Sequence, residues 1–144
     1  MRRIENRPLW LGHDRDVREL HPLLDLGVSA VVDVCDTEPI PWLPHEIIRC
    51  RFPLAESSRN PSWLVEMTCE TVASLIRAGV PTMVVCTRSY SRSACVAAAA
   101  LALAEDRPIL EMLSKIIGSE PITYSRELLV QFRNGLRSSL SKVS

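Results

Sequence analysis

"VVCTRSYSRSACVAAAALALA", residues 84–104, decides how the rest of the chain is read. A valine-rich run ends in Cys86, crosses a polar loop and resumes as an alanine-rich helix. Strand followed directly by helix is the repeating unit of α/β proteins. An ordinary connection of this kind needs only a few residues and no particular chemistry. This one has a thiol at its start, a guanidinium at Arg92 and hydroxyls on Thr87, Ser89, Ser91 and Ser93.

Working outward, the same alternation continues. "PLWLG" (8–12) reads as a short edge strand, and "HDRDVRELHPLLDLG" as a helix with Val17, Leu20, Leu23 and Leu24 at helical spacing. "VSAVVDVC" (28–35) is β-branched and nearly continuous, as expected of a strand buried on both faces. "DTEPIPWLPHE" is a proline-rich loop, "IIRCRFPL" (47–54) another strand, and "AESSRNPS" a second loop. From Ser62 the periodicity predicts a helix with Leu64, Met67, Thr71, Leu75 and Ile76 on one face, ended by Gly79. After the strand 81–86 and the helix 93–104, Pro108 and Gly118 bracket a further helix. A last helix turns Leu128, Leu129 and Phe132 inward. The expectation is one α/β domain over residues 1–144, core about 8–133, with a mainly parallel sheet flanked by helices.

Composition narrows the function. The chain has 144 residues, 47% hydrophobic and 24% charged, enough for a core without staples. Formal net charge is zero, which argues against nucleic acid as a partner. Nearly all the cations are arginine, the side chain that forks onto oxyanions. The longest apolar run, 94–104, is too short to span a bilayer, so no membrane partner is expected. Met1-Arg2-Arg3 leads into charge rather than an apolar leader. Five cysteines (35, 50, 69, 86, 95) lack zinc-ligand spacing, so free thiols and a cytoplasmic location are expected. His13, His21 and His45 are scattered, and neither metal nor cofactor is expected.

In open α/β sheets, ligands bind where a strand ends and the next helix begins. The loop from Thr87 through Arg88, Ser89 and Tyr90 to Ser91 can turn its amides inward at the positive end of that helix. A cysteine there should have a lowered pKa. Arg92 can grip two oxygens of a tetrahedral oxyanion, and Ser93 can donate its hydroxyl to the sulfur. The combination reads as a phosphate cradle with Cys86 as a nucleophile in its floor. Arg88 and Tyr90 either face the pocket mouth or point to solvent. Arg59 and Arg126 read as solvated, Trp42 as a loop anchor, Asp33 as a structural hydrogen-bonding group, and Cys50, Cys69 and Cys95 as core.

"VVCTRSYSRSACV" resembles the HCxxGxxRS signature of the cysteine-dependent dual-specificity protein phosphatases. The resemblance extends from "LWLGHDRDVRELHPLLDLGVSAVVDVC" through "FPLAESSRNPSWL", similar to the family's general-acid loop, to "RPILEMLSKIIGSEPITYSRELLVQF". It implies metal-free hydrolysis of a phosphorylated protein or small phosphomonoester in two steps through a cysteinyl-phosphate. The sequence departs from the signature at Val85, in place of the histidine, and at Ser89, in place of the glycine. The family's acid is aspartate, and the matching position is Glu56, with Asp36 as a weaker substitute. In lipid-phosphatase-like and regenerating-liver-type relatives a cysteine at the place of Cys35 forms a reversible disulfide with the nucleophile, which makes Cys35 a candidate redox partner of Cys86. These departures keep a second reading open, an impaired module that binds phosphate without turnover. A sulfurtransferase or arsenate reductase, which also holds a cysteine in an anion loop, is a more distant one.

Overall fold

The computed structural model describes residues 1–36, 43–87, 90–118 and 122–143, leaving aside the side chains of 20 and 137–143. Among the described residues five strands form one sheet: β1 (Arg2–Arg3), β2 (Leu9–His13), β3 (Ala30–Asp33), β4 (Ile48–Arg51) and β5 (Thr82–Cys86), in the order β1-β2-β5-β3-β4. All neighbours are parallel except β1 and β2. The mainly parallel sheet of the sequence reading is therefore present, with β5 at its centre.

Side-chain alternation along β5 divides the protein into two cores. Val84 and Cys86 face the larger one, while Met83 and Val85 face the smaller. The larger core is closed by α3 (Ser62–Arg77), α4 (Ser91–Glu105), α5 (Ile109–Ile117) and α6 (Arg126–Val143). Helix α4 lies at its middle, where the run Ala97–Ala100 is fully buried and its small side chains let α3, α5 and α6 approach closely. The smaller core packs Val17 of α1 (Asp14–Arg18) and Leu23 of α2 (Leu20–Asp25) on Trp10, Val31, Met83 and Val85.

Four expectations need correction. "PLWLG" is not an edge strand, because Arg2–Arg3 pairs antiparallel with its Leu11 and Trp10. Nor does Gly12 end that strand, which runs on to His13. A Cβ at Gly12 would sit 2.6 Å from Met83 Sδ, so the missing side chain is the space that Met83 fills. The helix read across 13–27 is two helices broken at Glu19, which is extended at φ −99° and ψ 96°. Pro22 explains the break: its ring would meet the Arg18 carbonyl of a continuous helix, and it offers no N–H. On α3 the buried face is Leu64, Val65, Thr68, Cys69, Val72 and Ala73, whereas Met67 is half exposed. That face is rotated from the expected one because α4 and α6 both pack on it and widen the buried stripe. Gly79, at φ +70°, follows the end of α3 as expected.

Candidate active site

The parallel register brings three strand ends together. His13 lies opposite Cys86 across β2 and β5, and Asp33 opposite Val85 across β3 and β5, so Cys35 and Asp36 emerge on the other side of Cys86. Helix α4 begins at Ser91, and its N-terminus brings backbone amides and a positive dipole end there. Arg88 and Ser89, assigned to the cradle from sequence, and Trp42 lie outside the described residues.

Cys86 is fully buried, with its Sγ 3.3 Å from Ser93 Oγ. Ser93 Oγ also lies 3.2 Å from the Tyr90 carbonyl oxygen, to which it can donate. A hydroxyl has one proton, so the Tyr90 carbonyl and the sulfur are alternative acceptors for it. The carbonyl keeps a second donor, Ala94 N at 2.7 Å, and is not orphaned by the exchange.

Arg92 is nearly fully buried, and its guanidinium is held at one end. Nη1 donates to Asp36 Oδ1 at 2.6 Å and to the Leu54 carbonyl at 2.9 Å, and Nη2 donates to Thr87 Oγ1 at 2.8 Å. Nε is buried and has no hydrogen-bond partner. Nε and Nη2 share the side-on edge of the fork, the edge that two oxygens can meet at once, and Nη2 has a second N–H besides the one given to Thr87. Asp36, considered from sequence as a substitute acid, is here the counter-ion of Arg92.

Glu56 meets the start of α4, where its carboxylate accepts from Ser91 Oγ. The two residues line a hollow of about 380 Å³ together with Thr123, Tyr124 and Ser125. The loop behind Glu56 is held by Asn60, which sequence reading passed over. Asn60 Oδ1 accepts from Ala55 N at 2.7 Å, and its Nδ2 faces the carbonyls of Ala55 and Ser57 at 2.9 and 3.1 Å. Gln131 of α6 completes the arrangement: its Oε1 lies 3.0 Å from Asn60 Nδ2, and its Nε2 donates to the Asn60 carbonyl at 2.8 Å. The only sequence signals were an Asn-Pro pair before a helix and a glutamine between Leu129 and Phe132 on an inward face.

Cys35 is fully buried, and its Sγ lies 3.9 Å from the Val85 carbonyl. Burial, reinforced by the Asp33 carboxylate, pushes its thiol up to about 12. Asp33 accepts from Cys35 N at 2.9 Å and faces Arg51 Nε at 3.8 Å, so it fixes the turn that leaves β3. Burial also raises Cys50, and takes Cys69 and Cys95 to about 12. Val85, where the signature has histidine, points into the smaller apolar core with Trp10 and Val31, away from Cys86. A different histidine reaches the loop: the His13 ring stacks on Tyr90 with centroids 4.3 Å apart. Arg59 and Arg126 are exposed. Among the described residues no group of three His, Cys, Asp or Glu side chains could hold a metal ion, and no helix is long and apolar enough to cross a membrane.

No protein-family model matches the chain, and no curated protein matches it in sequence. Solved structures do match it in shape. Human DUSP28 superimposes with a TM-score of 0.80 at 22% identity, covering 94% of this chain and 95% of the other. A mouse putative dual specificity phosphatase, complexed with zinc tungstate, gives 0.81 at 20% identity over 94% and 86%. PTPMT1 in complex with PI(5)P gives 0.71 at 17% identity over 99% and 97%. The chain has the fold of the dual-specificity phosphatases.

Proposed function

We propose that the protein is a cysteine-dependent phosphomonoester hydrolase of the dual-specificity phosphatase type. The observation that carries this reading is the buried, unpartnered Nε of Arg92, in the first turn of the helix that follows Cys86. A buried donor left without a partner costs about 1–3 kcal/mol unless something completes it. A tetrahedral oxyanion does so, placing two oxygens on the Nε–Nη2 edge and others on the α4 amides. The tungstate named with the mouse structure is an anion of that class.

In the first step the Cys86 thiolate attacks phosphorus, the bond to the leaving oxygen breaks, and protonated Glu56 gives that oxygen its proton. In the second, Glu56 carboxylate takes a proton from water as the water attacks the cysteinyl-phosphate. The S–P bond breaks, releasing inorganic phosphate and the thiolate, and Ser93 turns its proton from the Tyr90 carbonyl to the sulfur. The substrate is a phosphorylated protein or a small phosphomonoester, and no step uses a metal. Rapid quench with phosphorus-labelled substrate should leave label on Cys86 in wild type. Turnover with no label at Cys86, or turnover abolished by EDTA, contradicts the mechanism.

The Asp36–Arg92 pair favours one second reading, a module that binds phosphate without hydrolysing it, since the clamp already has a counter-ion. Retained Cys86 and Ser93 weigh against it. We also propose that peroxide oxidises Cys86 to the sulfenic acid and that the Cys35 thiol then attacks it, giving a disulfide and water. The raised pKa of Cys35 makes that attack slow at neutral pH. Peroxide-treated protein without a 35–86 cross-linked peptide rules it out.

A further inference from the structure

We propose that Gln131 is a positioning residue for the general acid: from α6, through Asn60, it fixes the loop that presents Glu56 to the substrate. The proposal rests on the reading of Glu56 as the acid and goes beyond it by saying what makes that acid effective.

Asn60 turns both ends of its side-chain amide to the loop, and its two Nδ2 protons are shared among three acceptors. Its oxygen takes the amide of Ala55, and its nitrogen faces the carbonyls of Ala55 and Ser57. These peptide units flank Glu56 on both sides, so the backbone carrying the acid is closed into a ring by one side chain. That side chain is itself set by Gln131, which meets Nδ2 with its oxygen and the Asn60 carbonyl with its nitrogen. The two amides have one consistent orientation, because reversing either turns donor to donor or acceptor to acceptor.

Gln131 has a firm base. Leu128, Leu129 and Phe132, around it on α6, are buried in the larger core, so the clasp cannot shift without unpacking the helix. The segment leading into α6 also supplies Thr123, Tyr124 and Ser125 to the hollow that Glu56 faces. The same helix therefore anchors the loop and follows the wall of the hollow into which the acid projects. A general acid displaced by about 1 Å can lose on the order of a hundredfold in rate, so the clasp acts on catalysis and not on folding alone.

The test separates acid placement from general damage by varying the leaving group. p-Nitrophenolate departs without much help, whereas phenolate needs its proton. Gln131→Met keeps length and volume but removes both hydrogen bonds. It should lower kcat on phenyl phosphate about tenfold or more and change p-nitrophenyl phosphate by no more than about twofold. Gln131→Glu keeps the acceptor for Asn60 but turns an oxygen toward its carbonyl, so it should show the same selectivity if Gln131→Met does not fold. Amide exchange at Ala55 should be faster in either variant, a readout independent of activity. Glu56→Gln run in parallel should be selective too. Equal losses on both substrates in the Gln131 variants, or wild-type exchange at Ala55, overturn the clasp while leaving Glu56 its role. A Glu56→Gln variant without leaving-group selectivity overturns both.

Discussion

Replacing Arg92 by lysine tests the cradle on the geometry of a single side chain. Arg92 Nη1 is occupied by Asp36 and the Leu54 carbonyl, and Nη2 gives one proton to Thr87, leaving Nε–H and the second Nη2–H for an anion. Each charge-assisted bond to an oxyanion contributes about 1.5–3 kcal/mol. A lysine ammonium can recover one of the two at best, so Arg92→Lys should lose about 1.5–3 kcal/mol of oxyanion affinity. That corresponds to roughly ten- to 150-fold in Kd. The substitution also leaves the buried Leu54 carbonyl short of a donor, costing about 1–3 kcal/mol of stability by the same reasoning. The two effects are read separately, affinity by calorimetric titration with vanadate or tungstate and stability by urea unfolding. Arg92→Lys that stays folded and binds either anion within about threefold of wild type would refute the assignment of the open edge, because that ratio is only about 0.6 kcal/mol.

Asn60→Ala should cost about 2–4 kcal/mol in urea unfolding, since Asn60 is buried and satisfies Ala55 N. Asn60→Asp should cost at least as much, although it keeps that bond, because it faces an oxygen toward the carbonyls of Ala55 and Ser57 and toward Gln131 Oε1; a neutral Asn60→Asp would contradict the network. His13→Ala should lose about 0.5–1.5 kcal/mol of stability from the stack on Tyr90, with His13→Phe restoring most of it. Cys35, Cys69 and Cys95 stay protonated in the fold up to about 12, whereas unfolded thiols ionise near 9.0. The unfolded state therefore binds fewer protons above that lower value, and stability falls with rising pH across this window, by about 1.4 kcal/mol per unit for each thiol. Unfolding curves at stepped pH should show this decline, with a shallower slope in Cys69→Val; equal slopes would contradict it.

What the sequence revealed followed from period and spacing. Continuous β-branched runs marked β3 and β5, and the alanine run after Cys86 marked α4, because each pattern repeats within a single element. Residues 86–93 could be read together since they are consecutive in the sequence. The misses have other causes. Strand β1 is two arginines with no apolar signal, held by pairing with β2, by the bond from Arg2 to the Ile117 carbonyl and by Arg3 over the Trp10 ring. Met67 fits the helical period of α3 yet faces out, because tertiary packing and not period selects which side of a mixed helix is covered. Asn60 and Gln131 are 71 positions apart, and the Asp36–Arg92 pair is 56 apart. No local pattern relates such residues; only the fold makes them neighbours.

The role of Cys86 as the nucleophile of a phosphomonoesterase is tested most directly by steady-state hydrolysis of p-nitrophenyl phosphate with reductant and EDTA, wild type against Cys86→Ser, with vanadate as inhibitor. Wild type should turn the substrate over, vanadate should suppress that turnover, and Cys86→Ser should abolish it. Turnover that persists in Cys86→Ser, or a wild type that binds vanadate and turns nothing over, would contradict it.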